Sequence, residues 1–189
     1  MSCKAVACLA LAAVTLPSFV LAAANVGQLT LTSAEVANGK AMTNEQILNG
    51  FGCSGMNVSP GLKWNNPPAG TKSFALTVYD PDAPTGSGWW HWVVVDIPAT
   101  TRELPKGAGK SGTVQIAGGA RQTRTDFGAP GYGGPCPPQG DKPHRYVFTL
   151  TALDIDKLPV PDDASGALVG FNVGAHTLAK GTMTATYGR

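Results

Sequence analysis

Charge of either sign is scarce in this chain. Its 189 residues include only 14 Lys or Arg and 12 Asp or Glu, a formal net charge of +2. That excludes a broad basic face for a nucleic-acid backbone and a solvating acidic tail, so no nucleic-acid partner is expected. The four cysteines and three histidines form no CxxC or Cys/His spacing of a zinc site. Neither HExxH nor a GxSxG nucleophile elbow occurs, and there is no internal repeat. What is abundant is glycine (24) and proline (15), against 43% hydrophobic residues. That balance suits one β-rich domain with long loops and argues against a helical bundle or a disordered chain.

The amino terminus is an address. Lys4 precedes the apolar stretch Ala5 to Leu16, then Pro17, Ser18 and the small-residue run Ala22-Ala23-Ala24. A charged start, an apolar middle and an A-x-A-like site define a secretory signal peptide. The run is broken by Pro17 and falls short of the roughly 20 residues of a membrane span. Residues 1–24 are therefore expected to be removed, leaving a domain over 25–189 in the periplasm or secreted. Cys3 and Cys8 leave with the leader, and neither stands where a lipid would be attached. Cys53 and Cys136 remain, either bridged, as an oxidising compartment allows, or as two separate buried thiols.

Three strands are legible. Ser73–Tyr79 alternates, with Phe74, Leu76 and Val78 on one face and Ser73, Ala75, Thr77 and Tyr79 on the other, and ends in the turn-forming Asp80-Pro81-Asp82-Ala83-Pro84. His91–Ile97 is nearly all apolar and reads as a strand covered on both faces. Arg145–Leu153 is rich in β-branched and aromatic residues. Gln28–Thr32 and Thr182–Thr186 are weaker strand candidates, and Asp162–Val169 is the one fair helix signal, the better of two short helices expected. Between the second and third strands a loop from Thr101 to Pro143 is long enough to be functional.

Three polar clusters sit where strands meet loops: Asp80 to Pro84, Trp89-Trp90-His91-Trp92, and Pro137-Pro138 followed by His144-Arg145-Tyr146. Histidine donors, a carboxylate and aromatic walls suit a small anion. The same side chains leave a hydrolase open: Asp80, Asp82, His91 and His144 as metal ligands, His144 as a general base, or a free Cys136 as a nucleophile. His176 has no such surroundings and reads as structural.

Taken in order, these motifs resemble the phosphatidylethanolamine-binding protein family, also called Raf kinase inhibitor-like proteins. Asn57-Val58-Ser59-Pro60, Gln122 to Gly128, Gly131 to Pro138 and Tyr187-Gly188-Arg189 are similar to its bacterial YbhB/YbcL branch, here in exported form. The resemblance implies a mainly β fold of two packed sheets with an anion pocket at one end. It also implies a site of Asp80, Trp89, His91, Pro137, Pro138, His144 and Tyr146, with Gly134 and Cys136 as backbone around the ligand, and no cofactor. Both histidines would donate to the anion, Asp80 would orient one of them, and Ala83–Pro84 would be a cis peptide. Exported relatives carry cysteines at both positions, which implies a Cys53–Cys136 bridge. With Arg189 as the last residue, the carboxy-terminal helix of animal members is not expected, and Tyr187 is not equated with that helix's tyrosine.

The function implied is non-enzymatic binding of phospho-monoesters or phospholipid head groups, with modulation of an unidentified protein partner. A protease-inhibitor module is the alternative, and the hydrolase is weaker. Homodimers are common among bacterial relatives, and nothing in the residues decides that point here. Export is testable first: protein recovered from the periplasm should begin between Ala23 and Asn25 on amino-terminal sequencing, and an intact Met1 on the soluble native protein would contradict it.

Overall fold

The computed structural model describes Met1 and residues 28–189; the rest of the expected leader lies outside the described residues. The strands are β1 (Thr30–Thr32), β2 (Asn49–Gly50), β3 (Cys53–Ser54), β4 (Leu62–Asn65), β5 (Ser73–Asp80), β6 (Trp89–Pro98), β7 (Glu103–Leu104), β8 (Arg121–Gln122), β9 (His144–Leu153) and β10 (Thr177–Tyr187). One α-helix, α1 (Gly166–Ala175), and a short 3₁₀ turn at Ala117–Gly119 complete the set.

The five-stranded sheet runs β10-β9-β5-β6-β8, and the smaller sheet β1-β4-β7 lies opposite one of its faces. Phe74, Leu76 and Val78 of β5 point into the space between the sheets, where they meet Leu62, Trp64, Trp92, Val94 and Phe148. The other face is buried as well: Ala75, Val93, Val95 and Leu153 pack under Val169 and Val173 of α1 and under Leu158 and Val160. This confirms β6 as covered on both faces, whereas the expected polar face of β5 is largely covered too. Helix α1 starts later than expected because Ser165, not Asp162, is its cap, accepting from the Leu168 amide. Asp162 instead bonds Arg121, at 3.0 Å.

The same Arg121 marks where β6 bends. Asp96 sits at φ 57° in a β-bulge, and its carboxylate takes the Arg121 Nε–H (2.7 Å) and the Leu158 amide (2.8 Å). Aspartate tolerates the left-handed region through such local bonding. The ion pair is nearly solvent-free, and every oxygen is hydrogen-bonded, as burial of charge requires.

Antiparallel pairing decides where the ends of the central strands meet. Asp80, the last residue of β5, pairs with Trp89, the first of β6, and Tyr79 pairs with Val147 just inside β9. The C-terminal end of β5 and the starts of β6 and β9 therefore share one edge of the sheet. The turn joining β5 to β6 closes through Asp82 N–H to Asp80 Oδ1 (2.8 Å) and Thr85 N–H to the Ala83 carbonyl (2.8 Å). It does so with a trans Ala83–Pro84 bond, as no cis peptide occurs among the described residues. The expected cis bond is corrected accordingly.

Cys53 of β3 and Cys136 form a disulfide, with Cα atoms 6.0 Å apart. It closes a loop with a sequence separation of 83. On the chain-entropy account such a link stabilises by roughly 4–5 kcal/mol, less any native strain. A Cys53→Ser, Cys136→Ser double variant should lose up to that amount in chemical denaturation. Unchanged stability would mean that the bridge constrains nothing.

Candidate functional site

Asp80, Trp89, His91 and His144 meet at the shared strand edge and line a cavity of about 150 Å³. Cys136 and Pro138 close one side, and Ala83, Pro84 and Thr85 of the β5–β6 turn close another. The expected Tyr146, Gly134 and Pro137 are not in this lining. Tyr146 is buried behind the site with its ring edge-on to His91 at 5.1 Å. Its hydroxyl has no hydrogen-bond partner, and burial pushes it well above the usual tyrosine range, so it stays neutral. A Cβ on Gly134 would overlap the Gln46 carbonyl, so this residue serves close backbone packing. The Pro137 carbonyl accepts from Arg189 Nε at 2.7 Å.

Two aromatic walls were missed from sequence: Phe51 and Phe127. Phe127 stands edge-on to both Trp89 and His91 at 5.4 Å and stacks on Phe51 at 5.8 Å. Its neighbour Asp126 delivers it, exchanging backbone and side-chain bonds with Trp90 at the start of β6. Phe51 is held by the disulfide two residues on and by Arg189, whose guanidinium donates to the Phe51, Gly52 and Pro137 carbonyls. Both sides of the Cys53–Cys136 link are thus stapled a second time. Arg124 to Gly128 was readable as a motif, but nothing in it marked Phe127 as a wall.

Hydrogen bonding fixes both imidazoles. His144 Nδ1 donates to Asp80 Oδ2 at 2.7 Å, and its Nε2 lies 3.4 Å from Asp141 Oδ2. Asp80 is buried and uses its other oxygen on the Asp82 amide, so its orientation is settled. His91 Nδ1 lies 2.7 Å from the Gly133 carbonyl, and a carbonyl only accepts, so Nδ1 carries the hydrogen. Asn57 supports that carbonyl from behind. Held at φ 53°, it donates to Tyr132 O (3.2 Å) and accepts from Gly134 N–H (2.7 Å).

Burial pushes His91 below the ordinary histidine range, outweighing nearby carbonyls and carboxylates that favour its charged form. The expectation that both histidines donate is therefore not what His91 offers while it is neutral. Asp82, a candidate metal ligand by sequence, is not in the cavity lining. It is clamped by Arg145 through Nε (2.9 Å), Nη2 (2.7 Å) and the backbone amide (2.9 Å), which holds its carboxyl at about 2. No group of three or more His, Cys, Asp and Glu among the described residues is placed to hold a metal ion. His176 caps the end of α1 and pairs with Asp154 at 2.9 Å, a structural role at a half-buried position.

The His91 shift has a pH consequence. The unfolded chain accepts a proton near pH 6.5 that the folded chain refuses. Stability is thus full above that pH and declines as pH falls below it towards the folded value. Denaturation from about pH 7 down to about pH 5 should show this slope in wild type. A smaller slope is expected in His91→Gln, and equal slopes would contradict the burial of a neutral imidazole.

The profile of the phosphatidylethanolamine-binding protein family matches residues 32–188. The chain is 50% identical to YbcL of Escherichia coli (strain K12) over 173 residues, 92% of this chain and 94% of that one. It is 54% identical to YbhB of the same organism over 159 residues, 84% of this chain and 99% of the relative. The crystal structure of Escherichia coli YbcL, described as a member of the mammalian PEBP family, superposes with a TM-score of 0.83 at 51% identity. That match covers 86% of this chain and 99% of the other. With its two packed sheets and its motifs in order, this chain belongs to the phosphatidylethanolamine-binding protein family.

Proposed function

We propose that the protein binds small phosphorylated anions, free phospho-monoesters or phospholipid head groups, without chemical turnover. The observation that carries this reading is the pair of imidazoles in one small cavity, each with Nδ1 anchored on a protein acceptor. That leaves Nε2 of each ring for a ligand, with Asp141 Oδ2 3.4 Å from that of His144 and not hydrogen-bonded to it. Rigid aromatic and proline walls surround a few convergent polar atoms, the usual make-up of a ligand site. At about 150 Å³ the cavity suits a head group rather than a large organic molecule.

The bridged Cys136 offers no thiolate, and Asp82 is committed to Arg145, which removes two components of a hydrolase. Export remains part of the proposal. The Cys53–Cys136 bridge, a bond that persists in oxidising compartments, supports it.

Calorimetry with phosphorylethanolamine tests the reading. Wild type should bind, and His144→Ala should bind about 1–3 kcal/mol more weakly, the worth of a charge-assisted hydrogen bond. An absence of binding to wild type, or equal binding by the variant, would overturn it.

A further inference from the structure

Neutral imidazole has one N–H, and in His91 the Gly133 carbonyl takes it at 2.7 Å. Nε2 therefore holds a lone pair at the cavity wall. Asp80 faces this ring from β5, Asp126 and Phe127 from the loop after β8, and Tyr146 from β9, with the Gly133 and Gly134 carbonyls on the remaining side. The carboxylates and carbonyls favour a second proton; enclosure opposes it and prevails. Across the cavity, carboxylates of Asp80 and Asp141 lie beside the two nitrogens of His144, 2.7 and 3.4 Å away. The two imidazoles thus sit in different settings, and the one enclosed by aromatic rings, His91, is the acceptor.

We propose, resting on the anion-site reading above, that the pocket takes the singly protonated form of a phosphate monoester, whose P–OH hydrogen is accepted by His91 Nε2, with His144 on the opposite wall. The chemistry discriminates sharply. A sulfate ester or a phosphodiester has the same single negative charge but no such hydrogen. Either would set an oxygen lone pair against the nitrogen lone pair of His91, whose ring is buried. The monoester is either free or carried on a lipid, and phosphatidic acid has that group whereas phosphatidylethanolamine is a diester.

The test is calorimetry at about pH 5.5, where a monoester that loses its second proton at about pH 6 is mostly singly charged. Phosphorylethanolamine is compared with ethanolamine O-sulfate and with glycerophosphorylethanolamine. Short-chain phosphatidic acid is compared with short-chain phosphatidylethanolamine for the lipid-borne source. The monoester should bind at least about tenfold more tightly than the sulfate ester and the diester, and phosphatidic acid should exceed phosphatidylethanolamine in the same way. In His91→Gln, whose amide can turn an N–H to the ligand, the preference should shrink; if that variant does not fold, the wild-type comparison decides alone. Equal binding of monoester, sulfate ester and diester would leave the anion site standing and overturn this proposal. Binding of none of them would overturn both.

Discussion

A carbonyl can accept a hydrogen but never give one, and on that asymmetry the site depends. The Gly133 carbonyl, 2.7 Å from His91 Nδ1, decides which imidazole nitrogen carries the proton and which is presented to a ligand. Much of the long segment between β8 and β9 serves to hold that oxygen still. Asn57 bonds the backbone on both sides of it, Gly134 lies against the 46–48 backbone where no Cβ fits, and Tyr132 bonds Gln46 O at 3.1 Å. Farther along, the disulfide at Cys136 and the Arg189 guanidinium fasten the chain to the Phe51–Cys53 loop. These contacts are long-range, so the loop is ordered by tertiary bonds rather than by propensity.

The opposite wall works by charge rather than by a neutral dipole. Asp80 ends β5 with both carboxylate oxygens engaged, one on the Asp82 amide and one on His144. Because β5 lies between β6 and β9, the two histidines enter the cavity from its two neighbours. Burial of Asp80 without such bonds would be costly; with them, the ring of His144 is oriented before any ligand arrives. One sheet edge thus carries two imidazoles in different electrostatic settings, one in an aromatic enclosure and one between carboxylates.

Much of this was legible from the residues. Period-two alternation located β5, the apolar run located β6, and the strand-end positions of Asp80, Trp89, His91 and His144 marked the site. Other parts were not. Phe51 and Phe127 become walls only through the disulfide and the Asp126–Trp90 bonds, which join distant stretches. Tyr146 was expected at the ligand, yet, two residues farther along the same face of β9 than His144, it lies deeper in the core, edge-on to His91. Thr177–Tyr187 is longer than the expected strand: eight of its eleven residues are small or polar, and its pairing with β9 supplies what its own pattern lacks. The β5–β6 turn, closed by two local hydrogen bonds, has a trans Ala83–Pro84 bond, the isomer most X–Pro bonds adopt.

Nitrogen-15 NMR of the imidazoles, with and without phosphorylethanolamine, tests the central claim most directly. In the free protein His91 should show a protonated Nδ1 and a bare Nε2, and Nε2 should stay bare but hydrogen-bonded in the complex. His144 should show its Nδ1 proton held by Asp80 throughout. A protonated His91 Nε2 in the complex would contradict the account.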